Sequence, residues 1–298
     1  MPIQFIKKLS PSSHPMGRGV LLVAAVVVAL AGLFAGQFSA CFAQGNLNPP
    51  GAPAPTMKTL DQIEPRYPIS NYGTNLTVSG SYYLTANISG SNTFDGINIR
   101  TNINNITIDL NGFSMICTNP AGGASPVGIR ISGANNIAIR NGQFFGFDRG
   151  IRVEGRSYGI VVDNVQVHGA HRSGIELIGD AGDPTLATLT VRNCVVEGVD
   201  GTGEGASVSC DGIVLLNGTG IVDSCIVRDI VGVGTFSSSC INAASPTNTF
   251  VNNNFLSNAD VGLKMSGGGT RVYYRNNLTA GCPTPFSGTG GVDRGGNF

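Results

Sequence analysis

The chain has 298 residues, with 18 Lys plus Arg against 18 Asp plus Glu, 43 Gly and no Trp. Charged residues make up 12%, about half the roughly 25% usual for soluble domains. So few charges, balanced to zero, exclude the basic surface a nucleic-acid binder needs, and 41% hydrophobic residues exclude a chain disordered throughout.

Lys7, Lys8 and Arg18 precede an uncharged apolar run from Val20 to Ala35, and small residues lead on to Cys41-Phe42-Ala43-Gln44. Charged, apolar and small-residue regions in that order describe a secretory signal over residues 1–43, cut after Ala43. A retained anchor is the competing reading, although the apolar run is shorter than the ~20 residues a span requires. A third is lipidation at Cys41, since Phe38-Ser39-Ala40-Cys41 loosely matches a lipobox. A membrane is expected as a partner only through an uncleaved segment or a lipidated Cys41; otherwise the protein is secreted or extracytoplasmic, in the cell envelope. Removing residues 1–43 leaves a net charge of −3. Residues 44–57 are rich in Pro, Asn and Gly without apolar period, which predicts a linker or disordered lead-in.

From residue 58 onward Gly, Asn, Ile, Val and Thr dominate, a vocabulary of strands and turns. A tetrad of Gly, apolar, any, apolar recurs at Gly96-Ile97-Asn98-Ile99, Gly128-Ile129-Arg130-Ile131, Gly150-Ile151-Arg152-Val153, Gly174-Ile175-Glu176-Leu177, Gly212-Ile213-Val214-Leu215 and Gly262-Leu263-Lys264-Met265, with Cys240-Ile241-Asn242-Ala243 filling the gap before the last. Its base unit is about 22 residues, lengthened by inserted loops. Each unit carries a second strand, such as Ile137-Ala138-Ile139 or Ile160-Val161-Val162, and a third short apolar stretch, such as Val165-Gln166-Val167 or Val195-Val196.

Three short strands per turn predict an all-β fold, a single-stranded right-handed parallel β-helix (solenoid) over residues 58–281, followed by a C-terminal tail, 282–298. Apolar tetrad positions point inward and the residue between them outward. Seven or eight coils at ~4.8 Å each make a rod of roughly 35 Å, and no coil buries its apolar face alone. A β-propeller is the alternative, but its blades need about 40 residues.

Aligned second strands expose two ladders. One reads Arg140, Asp163, Arg192, Asp223, Asn253, Asn276, an alternation of charge on adjacent rungs. The next reads Asn141, Asn164, Asn193, Ser224, Asn254, Asn277, where stacked amides hydrogen-bond along the rod. Both are structural in expectation.

The segments Met57-Lys58-Thr59-Leu60-Asp61-Gln62-Ile63-Glu64-Pro65-Arg66, Gly80-Ser81-Tyr82-Tyr83-Leu84 and Asp109-Leu110-Asn111-Gly112-Phe113 resemble the opening of bacterial secreted right-handed parallel β-helix repeat proteins. The resemblance covers most of residues 57–280. It implies the pectate-lyase-like superfold, whose members include polysaccharide lyases, glycosidases and proteins without known activity, so the superfold does not settle function.

Six of the seven cysteines lie beyond the signal segment. Cys194 and Cys225 follow the Asn-ladder position on adjacent rungs and are expected to point inward, within bridging range or packed as small hydrophobes. Cys210 and Cys240 precede neighbouring tetrads and are candidates to cross-link. Cys117 and Cys282 are left without an assigned partner. No CxxC and only two histidines beyond the signal segment argue against a structural zinc site.

The outward tetrad column holds Asn98, Arg130, Arg152, Glu176, Val214, Asn242 and Lys264, and the turn leading into it Asp148, Arg149, His171, Arg172 and Asp211. The resemblance directs attention to this face. A polysaccharide lying along it would find Arg and Lys for carboxylates and Asn for hydroxyls, with Asn98, Arg130, Asn242 and Lys264 as binding candidates. The catalytic candidates are Asp148, Arg152, His171, Arg172, Glu176 and Asp211. A hydrolase would use paired carboxylates such as Asp148 and Asp211, placed about 9–10 Å apart by rung spacing. A lyase would use a base with Arg152, Arg172 or His171 stabilising the developing charge. The competing reading is a solvated charged face, Arg152 beside Glu176 being an ordinary cross-rung ion pair.

Adjacent Asp-Asp and Gly-His-Gly motifs, carried by polygalacturonase-like hydrolases, are missing from the sequence. No cofactor is expected. Asp200-Gly201-Thr202-Gly203-Glu204 has the residue types for weak Ca²⁺ binding but is better read as a flexible Gly loop, and no helix pattern follows it to bind a nucleotide. The leading expectation is a non-catalytic secreted or cell-envelope β-helix, structural or carbohydrate-associated. The alternative is a polysaccharide lyase or glycoside hydrolase acting along the outward face of the first strand column.

Overall fold

The computed structural model describes residues 66–91, 94–118, 125–183, 185, 187–202, 209–235, 237–244, 248–267 and 271–298. The signal, the linker, Cys41, the start of the opening motif up to Pro65 and the Gly203-Glu204 part of the Gly loop lie outside the described residues. The chain divides into residues 1–58 and 59–298, and every described residue belongs to the second unit.

All strand pairings among the described residues are parallel, as in Arg130↔Arg152↔Glu176 and Ile137↔Ile160↔Leu189. The tetrads build one sheet of nine strands, Thr74–Leu76, Ile97–Ile99, Val127–Ser132, Arg149–Glu154, Ser173–Ile178, Asp211–Leu216, Ser239–Ala244, Val261–Ser266 and Thr284–Gly288. The second and third strand columns belong to a sheet of sixteen, because Ile137–Phe145 and Ile160–His168 run through both columns. A strand therefore meets its counterpart one coil away, which is a right-handed parallel β-helix.

Period-two patterning fixes which side faces in. Ile97, Ile129, Ile151, Ile175, Ile213, Ile241 and Leu263 stack in register as a fully buried column. The tetrad glycine has a steric cause. A Cβ on Gly128 would stand 2.4 Å from the carbonyl oxygen of Gly150, one on Gly150 2.6 Å from that of Gly174, and one on Gly174 2.8 Å from that of Gly212. Each glycine leaves the space that the backbone of the next rung occupies.

The asparagine ladder forms with two corrections, the first being that Asn141, Asn193 and Asn253 donate to Asp109, Asp163 and Asp223 of the neighbouring column rather than to another amide. Asn141, Asn164, Asn193, Ser224, Asn253 and Asn276 all adopt left-handed backbone, with φ between 53° and 60°, a region that Asn tolerates better than most residues. Asn164 donates to Asn141 at 3.0 Å, and Asn276 to Asn253 at 3.1 Å. The expected alignment thus slips by one residue on the last two rungs. There Asn252 and Arg275 continue the Arg140, Asp163, Arg192, Asp223 column. Asn254 and Asn277 move inside, below Cys225, where the Asn254 amide accepts from the Cys225 N–H at 2.9 Å and the Asn277 amide from the Asn254 side chain at 2.9 Å. A run of three asparagines offers no hydrophobic pattern to pin register. The alternating charges upstream pair as expected, Arg140 with Asp109 at 3.1 Å and Arg192 with Asp163 at 3.0 Å.

The stack also runs past residue 281. Thr284–Gly288 pairs with Val261–Ser266, and Gly291–Asp293 with Val272–Arg275, so most of the expected tail is a further rung. Its sequence, Cys282-Pro283-Thr284-Pro285-Phe286, has no tetrad glycine to announce it.

The six described cysteines are buried free thiols. Cys194 and Cys225 stack inward on adjacent rungs and hydrogen-bond each other. Cys210 and Cys240 do not face each other. Cys210 reaches the His171 carbonyl at 3.4 Å, whereas Cys240 reaches the Ser257 carbonyl at 3.6 Å and hydrogen-bonds Cys282. The reason is the register: Asp211 aligns with Ser239, so Cys210 lies one residue before the aligned pair and Cys240 one after it, an offset of two residues. Mass mapping of the non-reduced protein should accordingly find no Cys210–Cys240 peptide; recovering one would contradict this register.

Gly150→Ala should lower unfolding stability by about 1–3 kcal/mol, the usual cost of overpacking, since backbone stands on one side of the new methyl and Val167 on the other. An unchanged denaturation midpoint would show that the rungs have slack there.

Candidate functional site

The outward tetrad column is where the sequence places its chemistry, and the strands bring most of those residues together. Arg130, Arg152 and Glu176 sit side by side on successive rungs. Their side chains join a continuous chain of charge along the rod. Asp95 Oδ2 lies 2.7 Å from Arg130 Nε, whose Nη1 lies 2.5 Å from Glu154 Oε1. Arg152 Nε is 2.6 Å from that same Glu154 oxygen and 3.4 Å from Glu176 Oε2. Glu176 Oε2 lies 2.7 Å from Arg149 Nε. Arg149 Nη1 pairs with Asp148 Oδ2, and Arg172 Nε stands 3.3 Å from Asp148 Oδ1. Four carboxylates and four guanidinium groups alternate with no excess of either sign.

Burial deepens towards the middle of this chain. Asp148 is fully buried, and Glu176 is only 8% exposed. Burial pushes the Glu176 carboxyl above its ordinary value, against the pull of Arg149 and Arg152 and with some help from Asp148. Arg149, which the sequence reading left out of its catalytic candidates, is the cation that both acids share. Its signal was its place directly before the tetrad glycine, on the same rung as Arg152.

The expected Asp148 and Asp211 pair does not share a position. Asp211 aligns with Ser173 and Arg149, not with Asp148. It is buried, and accepts from Ser239 Oγ, from Asn242 Nδ2 at 3.0 Å and from Ser209 Oγ at 3.3 Å. Asn242 is thus engaged within the protein. Lys264 Nζ reaches Ser237 Oγ at 3.5 Å, Asn98 lies beside Arg130 on the preceding rung, and His171 is half-buried with its carbonyl accepting from Cys210.

Two features on the other columns had no place in the sequence reading. Phe145 stacks on His168 with centroids 4.8 Å apart, and His168 Nδ1 lies 2.8 Å from Glu197, which also pairs with Arg228. Further along, Phe250 stacks on Tyr273 at 5.3 Å, and Arg294 lies over the same tyrosine ring at 5.1 Å. The outward alternate positions of the second strands, Ile221, Phe250 and Tyr273, carried that second signal.

The buried arrangement makes a quantitative expectation. Arg149→Ala would leave two buried carboxylates without their shared cation and should cost about 3–5 kcal/mol in chemical denaturation. Arg192→Ala, in an exposed pair, should cost at most about 1 kcal/mol. Equal effects would mean that the inner chain of charge carries no special weight.

A family model described as periplasmic copper-binding protein (NosD) matches residues 63–298. No curated protein matches the chain. Among solved structures, the enzymatically active domain of bacteriophage CBA120 tailspike protein 2 is 14% identical with a TM-score of 0.47, covering 70% of this chain and 35% of its own. The chain therefore spans about a third of that tailspike. Pectate lyase Pel9A is 10% identical with a TM-score of 0.48, covering 76% and 68%, and the catalytic domain of a GH87 α-1,3-glucanase in complex with nigerose is 12% identical with a TM-score of 0.39, covering 85% and 71%.

Copper favours thiolate, thioether and imidazole ligands. Among the described residues no three His, Cys, Asp or Glu side chains converge as a metal site. Among the described residues thiol meets thiol only in the pairs Cys194–Cys225 and Cys240–Cys282, where the shared hydrogen bond pushes Cys225 up and Cys194 down, and burial with Cys282 pushes Cys240 up. The described residues do not fit a copper centre, whatever the family's description. By the match across most of its length, the chain belongs to the NosD family.

Proposed function

We propose that this chain is a non-catalytic, extracytoplasmic β-helix of the cell envelope, with a structural or carbohydrate-associated role. The charged, apolar and small-residue order of residues 1–43 and the periplasmic description of the family support the location. One observation carries the non-catalytic reading: the acids a polysaccharide lyase or hydrolase would need are buried and already engaged. A general acid or base must come within about 3 Å of the proton it moves. Asp148 offers no exposed surface, and Glu176 and Asp211 are each under a tenth exposed. Their oxygens face arginines, serines and an asparagine of the same chain. The charged column then acts as a compensated stack that holds adjacent rungs in register.

The mature protein should be incubated with a panel of uronate and neutral polysaccharides, with and without Ca²⁺. The expected result is no unsaturated-product absorbance and no new reducing ends. Turnover that is lost in Glu176→Gln, while the circular dichroism spectrum persists, would overturn the proposal in favour of the lyase or hydrolase alternative.

A further inference from the structure

The second strand column ends in a surface quite unlike the charged column. Phe250 is 41% exposed, yet its ring lies on that of Tyr273 with planes 20° apart. The two residues pair on adjacent rungs, Phe250↔Tyr273, and Val292 follows on the next. The rings stack along the rod axis with Arg294 over the Tyr273 ring, so their edges make an aromatic shelf, and Ile221, also exposed, extends it one rung back. Two positions on, strand alternation puts Asn252 and Arg275 outward, with Arg294 at the last rung. Asn248, Phe250, Asn252, Tyr273, Arg275 and Arg294 line an open depression of about 630 Å³.

The charges around this shelf are one-sided. Residues 248–298 hold Lys264, Arg271, Arg275 and Arg294 against Asp260 and Asp293. Asp293 is taken up by the Gly295 N–H and the Asn297 amide, and Asp260 by Ser238. Among the described residues neither Arg275 nor Arg294 is ion-paired, in contrast to the arginines of the tetrad column. Guanidinium groups without an ion-pair partner, beside the exposed edges of stacked rings, complement a ligand that carries both apolar C–H groups and carboxylates. Three rungs span about 10 Å, room for a disaccharide lying along the axis.

We propose that the shelf formed by Phe250 and Tyr273, with Arg275 and Arg294 at its edge, binds an acidic oligosaccharide without turning it over. Pyranose C–H groups pack against the exposed edges of the stacked rings, guanidinium groups take the carboxylates in charge-assisted hydrogen bonds, and Asn248 and Asn252 meet hydroxyls. The proposal rests on the carbohydrate-associated form of the reading above, and moves the binding site off the column where the sequence sought it. A single-stranded nucleic acid would also use stacking and Arg, but two guanidinium groups on a chain with a mature net charge of −3 make a poor track for a phosphate backbone.

The test is calorimetric titration of the mature protein with oligogalacturonate, a neutral cello-oligosaccharide and a single-stranded oligothymidylate. Oligogalacturonate should bind, the neutral sugar more weakly, and the oligothymidylate weakest. Phe250→Ala and Arg275→Gln should each weaken oligogalacturonate binding by about tenfold or more, with unchanged circular dichroism in both and unchanged melting in Arg275→Gln, whose side chain is exposed. Absence of oligogalacturonate binding, indifference to both substitutions, or tighter binding of the oligothymidylate would each overturn the site. Turnover dependent on Glu176 would instead refute the non-catalytic reading and leave a binding result at the shelf intact.

Discussion

In-register stacking of parallel rungs, close enough for one backbone to fill the side-chain space of the next, governs the rest of this structure. The tetrad glycines permit it, because each missing Cβ is replaced by a carbonyl of the neighbouring coil. Once that approach is fixed, chemically equivalent residues must stand about 4.8 Å apart along the rod. Like side chains are then forced together, and each column has to solve the consequences. Isoleucine columns solve them by packing. Asparagine columns do so by donating in turn to an amide of their own column or to an aspartate of the next, while holding a left-handed turn that few residues tolerate.

Charged columns have the hardest problem, since like charges on adjacent rungs repel. The exposed column alternates sign from Asp109 to Asp223. The tetrad column puts Arg130 directly beside Arg152 and resolves the conflict sideways, through Glu154 between them. Arg149 does the same for Asp148 and Glu176 with the signs reversed. A cluster that looks like a catalytic constellation in sequence forms, in space, a chain of ion pairs that neutralise stacked like charges. At the far end of the rod, among the described residues, Arg275 and Arg294 have no ion-pair partner, and the binding surface proposed there rests on that contrast.

The repeat, the inward isoleucines and the alternating charges were legible in the sequence because each depends on a local period. Three features were not. The register of the last rungs could not be settled from Asn252-Asn253-Asn254, where every choice places asparagine in every column. The neighbour of Cys240 is Cys282 rather than Cys210 because the pairing of Asp211 with Ser239 sets Cys210 and Cys240 two residues out of register. The burial of Asp148 and the sharing of Arg149 depend on side-chain paths across rungs, not on spacing. The aromatic shelf escaped for a different reason. Its residues alternate as plainly as the tetrads do, but on a column that no resemblance singled out.

The claim that the tetrad charges are a structural device is tested most directly by a double-mutant cycle on Arg149 and Glu176, using Arg149→Met, Glu176→Gln and both together in chemical denaturation. The structural account predicts a coupling energy of about 1–3 kcal/mol, with the double mutant far more stable than the sum of the single losses implies. Strict additivity of the two changes would contradict it.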